Sequence, residues 1–231
     1  MTKRQTISLY ISAVLISIVM LFGNATSAHA QLKMFRLEKD SIPLFRGFSV
    51  SFDLVGAAML TFGDNGQYEG ALRVNLHDQW FPVLELGIGR ANREKDDVTE
   101  LTYKTSAPFF RIGMDWNILK NKHQANRMYA GFRYAFTSYK VDIIRENLPD
   151  PVWKSQTQFG IHDYPCNMHW LEAVIGIDAK IFGPLHLGWS VRYKRRIAHK
   201  EGDFGNTWYV PGFGTNDKDG LAANFNIIFD I

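Results

Sequence analysis

Cysteine is almost missing from this chain of 231 residues, with Cys166 standing alone. A single thiol forms no internal disulfide and cannot build a cysteine-based zinc cluster. An excess of one charge is lacking too. Lys and Arg number 26 against 23 Asp and Glu, a formal net charge of +3, which is too small to point to nucleic acid as a partner. Beyond the first two dozen residues there is no long apolar run, and mean hydropathy is −0.17. A bundle of membrane helices needs several runs of about 20 apolar residues and is excluded. No HExxH, GxSxG or P-loop pattern occurs, so the chemistries those motifs support have no carrier. No Pro/Ser-rich linker divides the chain, and nothing after Gln31 shows a long helical period.

What is abundant points elsewhere. Aromatic residues make up 14% (17 Phe, 9 Tyr, 6 Trp), and there are 19 Gly. With 46% hydrophobic and 21% charged residues, disorder, collagen and coiled coil are poor matches on composition, and a folded β protein fits. Composition alone does not separate a soluble β-barrel from one in a membrane. The pattern along the chain has to do that.

Residues 1–30 have the layout of a secretory signal peptide. Lys3 and Arg4 form a basic start, Ile7 to Phe22 an apolar centre, and Ala28-His29-Ala30 an A-x-A cleavage site. The apolar run is short for a retained membrane anchor and ends in small polar residues. The mature chain would begin at Gln31, with most of the basic excess removed. Residues 31–46 read as a periplasmic leader segment ahead of a barrel domain at 47–231.

Period-2 alternation recurs about eight times, the signature of half-buried strands. In 67–76, Tyr68, Gly70, Leu72, Val74 and Leu76 share one face, with Gln67, Glu69, Ala71, Arg73 and Asn75 opposite. The segments 48–62, 81–90, 108–119, 128–141, 168–181, 185–195 and 221–231 alternate likewise, the first as one strand running from Phe48 to Phe62. The connections at 77–80 and 182–184 are short, 120–127 is moderate, and 91–107, 142–167 and 196–220 are long. Outer-membrane barrels have this asymmetry, with short periplasmic turns and long outer loops.

The apolar face carries large residues over about 10 positions per strand, enough to cross an apolar band of about 25 Å. The other face mixes Gly, Ala and Ser with charges, as a narrow interior requires. The reading is an all-β, antiparallel up-and-down transmembrane barrel, most simply of eight strands, with ten as the alternative. Its inner face would hold a network of Asp53, Glu69, Arg73, Glu85, Arg111, Asp115, Arg133, Glu172, Asp178, Lys180, Arg192 and Lys194, with Asp230 beside them. The two signs nearly cancel, which suits a salt-bridged plug, because an unpaired buried ion costs several kcal/mol. Phe62, Tyr68, Trp80, Phe81, Phe109, Phe110, Tyr129, Tyr139, Trp170 and Phe182 are candidates for interfacial aromatic girdles.

Alternation in LAANFNIIFDI runs to the last position. It resembles the C-terminal strand signal read by the barrel assembly machinery, departing from it in ending on Ile231. The stretches GFSVSFDLVG (47–56), YKTSAPFFRIG (103–113), YAGFRYAFTSYK (129–140), HLGWSVRYKRR (186–196) and GNTWYVPGFG (205–214) extend the likeness. Through them the chain resembles an uncharacterised family of small outer-membrane barrels from Bacteroidota. More loosely it is similar to OmpA/OmpX-type and PorT-like barrels. The resemblance implies the fold and an outer-membrane location; it carries no activity.

Candidate chemistry is sparse. His162-Asp163 lies in a long loop, His169 faces outward without a Ser partner, and His186 falls at the periplasmic end. No catalytic, cofactor-binding or metal-ligating residue is assigned. Arg195 and Arg196, where strand 7 emerges, are candidates for contact with lipid phosphate. Phe204, Trp208, Tyr209 and Phe213 lie in a glycine-framed loop, GDFGNTWYVPGFG. It either folds over the barrel mouth, adds a hairpin, or shows an aromatic patch to a partner. The functional expectation is a non-enzymatic, structural or accessory envelope protein. Its partners would be outer-membrane lipid, the assembly machinery, and a larger envelope complex, without nucleic acid. A lipid- or peptide-modifying enzyme and a narrow channel are the alternatives. On this reading the mature protein fractionates with outer membranes and migrates faster on gels unheated than boiled. A chain that stays in solution without detergent would overturn it.

Overall fold

The computed structural model describes residues 42–95, 100–149, 156–200 and 207–231. The expected signal peptide at 1–30 and most of the expected leader lie outside this range, as do Phe204 and the tips of three connections. Eight antiparallel strands close into a barrel in the order β1-β10-β7-β6-β5-β4-β3-β2. They are β1 (Phe45–Asp53), β2 (Asn65–Leu76), β3 (Trp80–Arg93), β4 (Thr102–Asn117), β5 (Arg127–Pro149), β6 (Gln156–Phe182), β7 (Leu185–Lys200) and β10 (Asp219–Asp230). A helix, α1 (Leu54–Phe62), separates β1 from β2. A small hairpin, β8 (Tyr209–Val210) with β9 (Gly214–Thr215), pairs only with itself. The barrel therefore has eight strands, and the two extra ones do not join its wall. β1 starts at Phe45, so the last two residues of the expected leader belong to the barrel.

Side chains are distributed inside out. Leu86, Ile175 and Trp189 on the outer face are 56%, 59% and 62% exposed, whereas Arg111, Asp115 and Asp178 are 0% exposed. This is the polarity of a transmembrane barrel, with the apolar residues turned outward and the polar ones inside. Eight strands leave an interior that side chains alone can fill.

Two segments differ from the sequence-based expectation. The stretch 48–62 is not one strand. Asp53 caps a helix, its carboxylate accepting from the N–H groups of Val55 and Gly56 at 3.1 Å each. Leu54, Ala57, Ala58, Met59 and Leu60 are good helix formers, and Gly63 closes the last turn with its N–H on the Met59 carbonyl at 2.8 Å. Alternation across 54–62 rests on small residues that appear on both faces. The second difference lies at 142–167, where the pattern predicts a long loop. β5 and β6 instead continue as a paired ribbon, with Ile143↔Ile161 and Leu148↔Thr157 in register. Above an apolar band both faces of a ribbon meet water, so the alternation that marks a strand fades.

The turns at the end holding both termini of the barrel are tight. His77 and Asp78 take φ of 59° and 55°, the left-handed geometry of a short hairpin. Asn75 supports it, its side-chain carbonyl accepting from the Asp78 N–H at 2.8 Å. There Ile231 and Phe48 exchange backbone hydrogen bonds at 2.8 and 3.1 Å, closing the ring.

Glycines on the inner face act as sockets for bulk from the next strand. A side chain at Gly87 would strike the Phe109 ring, and one at Gly176 would strike Tyr129. Five of the ten aromatics expected in girdles, Phe81, Phe109, Tyr129, Tyr139 and Trp170, are instead buried in the interior. Their parity places them there, because each shares a face with inward charges such as Arg111 and Glu172. Gly113 is among the tightest, and a Cβ there would meet the Phe132 carbonyl, which is backbone and cannot yield. At Gly70 the nearest atom is the Ser51 carbonyl oxygen, 3.8 Å away. Gly113→Ala should therefore lower stability by about 1–3 kcal/mol, while Gly70→Ala leaves it unchanged. Urea unfolding in lipid vesicles measures both.

Candidate functional site

The interior is organised by four arginines and five carboxylates, each on an inward position of its strand. Arg111 on β4 meets Glu69 of β2 at 2.5 Å, Glu85 of β3 at 3.3 Å and Glu172 of β6 at 2.9 Å. Arg192, across the barrel on β7, reaches the same three, at 3.0 Å, 2.7 Å and 3.5 Å. Arg133 on β5 links this layer to a second one. It binds Glu85 at 3.0 Å and Asp115 at 2.6 Å. Arg73 on β2 completes that second layer with Asp178 at 2.6 Å and Asp115 at 3.2 Å.

Six strands are thus tied across the lumen, β2 to β7. Rings fill the remaining space. Arg111 lies 4.4 Å from the centre of the Phe109 ring, and Arg73 lies 4.6 Å from that of Tyr129. The Trp170 indole N–H donates to Glu172 at 2.6 Å. Carboxylates that accept from two or three guanidinium groups are fixed in place, which suits cross-bracing of the strands.

Lys194 belongs to this interior but binds backbone. Its ammonium donates to the carbonyls of Gly212 and Phe213 at 2.8 and 3.0 Å, and Arg111 donates to the Gly212 carbonyl at 2.7 Å. Both accepting residues lie in the hairpin formed by β8 and β9. Tyr209, Val210 and Phe213 are buried there. The Tyr209 carbonyl accepts from the Tyr103 hydroxyl at 2.7 Å, and the Tyr209 hydroxyl donates to the Gly66 carbonyl at 3.3 Å. Phe213 packs edge-on against Trp170, and Trp208 against Tyr103, with ring centres 5.7 Å apart in each pair. Of the alternatives for this loop, the structure realises a hairpin folded into the mouth. Tyr209 and Phe213 are not displayed to a partner, because their rings fill the lumen. Phe204 is outside the described residues.

Two other expected members of the network sit apart from it. Asp53 is buried, but its carboxylate caps α1 and accepts from Asn224 at 2.8 Å. Lys180 has inward parity but lies exposed at the end of the barrel near both termini. It stands two residues from the end of β6, beyond Asp178 of the second layer. Arg195 pairs with Asp219 at 2.9 Å on the outside, and Arg196 donates to Asn216 at 3.0 Å.

Sequence reasoning missed a second polar cluster at the end near the termini. Asp78 is met by His123 at 2.8 Å, Arg46 at 3.3 Å and Asn75 at 2.7 Å. Burial works against its charge, but the hydrogen bonds from His123 and Asn75, with Arg46 nearby, hold its carboxyl below the usual range. Asp230 pairs with Arg127 at 2.5 Å and lies 3.3 Å from His186. Asp78, His123 and Arg46 come from turns and a strand end, where no periodicity flags them. His169 faces outward, stacked on Phe136 and bonded to the Tyr134 hydroxyl at 2.7 Å. His162 lies 3.9 Å from Asp142 on the exposed ribbon. Cys166 is buried in β6.

A closed antiparallel barrel with an apolar exterior and charged residues turned inward defines a small transmembrane β-barrel protein. Within that class, the chain belongs to the family described as a domain of unknown function, DUF6048, whose model matches residues 6–231. No curated protein matches. Among solved structures, the N-terminal β-barrel domain of Pseudomonas aeruginosa OprF is 12% identical. That match covers 80% of this chain and 97% of that one, with a TM-score of 0.33. A major outer membrane protein from Thermus thermophilus is 13% identical over 80% and 98% of the two chains, with a TM-score of 0.40. CarO2 of Acinetobacter baumannii is 12% identical over 83% and 100%, also with a TM-score of 0.40.

Glu85 is the junction of the network, meeting Arg111, Arg133 and Arg192. Glu85→Gln leaves three buried guanidinium groups short of charge and should cost about 3–5 kcal/mol. Glu85→Ala adds a void and should cost at least as much. Equilibrium unfolding in detergent or vesicles checks this; a stability equal to wild type would show that the network is not bracing the barrel.

Proposed function

We propose that the protein is a non-enzymatic outer-membrane barrel whose lumen is closed to solutes, serving a structural or accessory role in the envelope. The single observation that carries this reading is the double closure of the interior. The arginine–carboxylate layers cross the lumen, and the β8–β9 hairpin is fastened above them through Gly212. Between the layers, around Glu69, Arg73, Glu85 and Tyr129, the residual cavity is about 10 Å³, about the space of one water molecule. A conducting pore needs a continuous wet path, usually lined by charge of one sign. Here both signs are locked together.

On this reading the lumen provides rigidity and the contacts are made elsewhere. The lipid face holds the barrel in the outer membrane, Arg195 and Arg196 lie at its outer rim within reach of lipid phosphates, and the β5–β6 ribbon extends beyond it. The C-terminal strand would be the part read by the barrel assembly machinery. A larger envelope complex would dock on the ribbon or the lipid face. The family resemblance to small Bacteroidota barrels points the same way.

Refolded protein in a planar bilayer should give no step conductance. Deleting 208–215, which removes the hairpin while leaving the strands, should still give none or only brief flickers, because the charged layers remain. Steady channels from the wild-type protein would overturn the closed-lumen reading.

A further inference from the structure

The wall of the barrel is not built of strands all the way round. β1 pairs with β10 only from Ser49↔Asp230 to Asp53↔Asn226, where the chain turns into α1. β10 runs on to Asp219, paired with β7 throughout. Its outer half thus has β7 on one side and a helix on the other.

The hydrogen-bonding parity of β10 shows which groups this leaves. Ile231 bonds towards β1, through Phe48, and Asp230 bonds the other way, to Pro184. Alternation then turns the N–H and C=O groups of Leu221 and Ala223 towards α1, where no strand stands opposite. Within a bilayer such an edge is tolerated only where protein covers it or it lines a cavity. A cavity is what lies there, about 510 Å³ in volume, within the range of about 300–1,000 Å³ found for small-molecule sites. Residues 219–224 line it consecutively. A cavity bounded by the face of a strand would touch alternate residues, so this one runs along the edge.

The other walls show what would fit. On one side is α1, nine residues without a charge, of which only Gly56 is buried. Gly56 is seated against Asp53 and Gln67, so the helix stays in the wall; Val55 and Met59 line the cavity, while Phe62 faces outward, 89% exposed. On the inner side are Lys194, Tyr209 and Phe213. Two N–H groups of the Lys194 ammonium go to hairpin carbonyls, which leaves a third donor on a group lining the cavity. Asp53, Asp217 and Asp219 lie around the same space. A ligand with a net charge of either sign would meet a like charge, whereas an uncharged or zwitterionic group would find both donors and acceptors.

We propose that this break in the wall is a lateral binding site for a single-chain amphiphile. The hydrocarbon chain lies between α1 and the outer half of β10, open to the bilayer. The uncharged or zwitterionic head group sits inside, beside Lys194 and beneath the hairpin. The site is independent of whether the lumen conducts.

Gly220 offers a clean way to fill the site. A Cβ there meets only the Lys194 Cβ, at 4.0 Å, so Gly220→Leu enters open space without strain. Wild type and Gly220→Leu, each shown to be folded by heat-modifiable migration, would be equilibrated with hexadecyl lysophosphatidylcholine, palmitate or hexadecyltrimethylammonium. Native mass spectrometry after exchange into a short-chain detergent reads the retained probe. A single retained lysophosphatidylcholine on wild type, reduced at least about tenfold in Gly220→Leu, is expected, with the two charged probes held at least about tenfold more weakly. Retention that Gly220→Leu leaves unchanged would mean annular lipid and overturn the site. Equal retention of the charged probes would overturn the head-group assignment. A second variant, Phe62→Ser, lies on the outer face of α1 away from the cavity and should retain the probe as wild type does.

Discussion

Charge buried in a narrow tube has to be neutralised within that tube. Water cannot reach it, and the lipid outside cannot help. Much of this structure follows from that constraint. With eight strands the interior is just wide enough for side chains, and each inward carboxylate of the two layers is matched to a guanidinium on a neighbouring or facing strand. Arginine suits the task better than lysine because its planar fork can bind two or three oxygens at fixed angles. Lys194 is used differently. It sits at the top of the network and binds two carbonyl oxygens of the hairpin.

The glycines belong to the same constraint. Arginines and aromatic rings of this size fit into an eight-stranded lumen only if the strand beside each gives up its side chain. Gly87 does so for Phe109, Gly176 for Tyr129, and Gly113 and Gly131 for the Arg133–Asp115 pair. A composition rich in both glycine and aromatics is therefore one adaptation seen from two sides, with the small residue and the large one facing each other across a ladder.

The parts of the fold legible in the sequence are those where one face meets lipid and the other a packed interior. The alternation of Leu84, Leu86 and Ile88 against Glu85 is of this kind, and parity alone is enough to turn the arginines and carboxylates inward. Where that contrast fades, reading fails. In 54–62 the residues are apolar on every side because a helix lying in the wall touches lipid broadly, and the cap at Asp53 reads as one more inward acid. Above the apolar band, 142–149 and 156–167 lose their alternation though they keep their pairing. The girdle assignments fail for a different reason. Residue type suggests an interfacial place for Phe109 and Trp170, but their parity sets them inside. The polar cluster around Asp78 depends on three separate turns and strand ends meeting, which local pattern does not encode.

The hairpin fastened through Gly212 also bears on how the molecule comes together. Arg111 and the carbonyl that completes its shell are 101 residues apart in the chain, and that carbonyl belongs to the last loop before the closing strand. The cation is laid down early, on the fourth strand, and waits for almost the whole remaining length of the barrel to arrive. Contacts of such high sequence separation form slowly. Until β10 docks, Arg111 and Lys194 lack these acceptors, so the final strand does more than close a ring of hydrogen bonds. It brings in the backbone that makes the interior electrically complete.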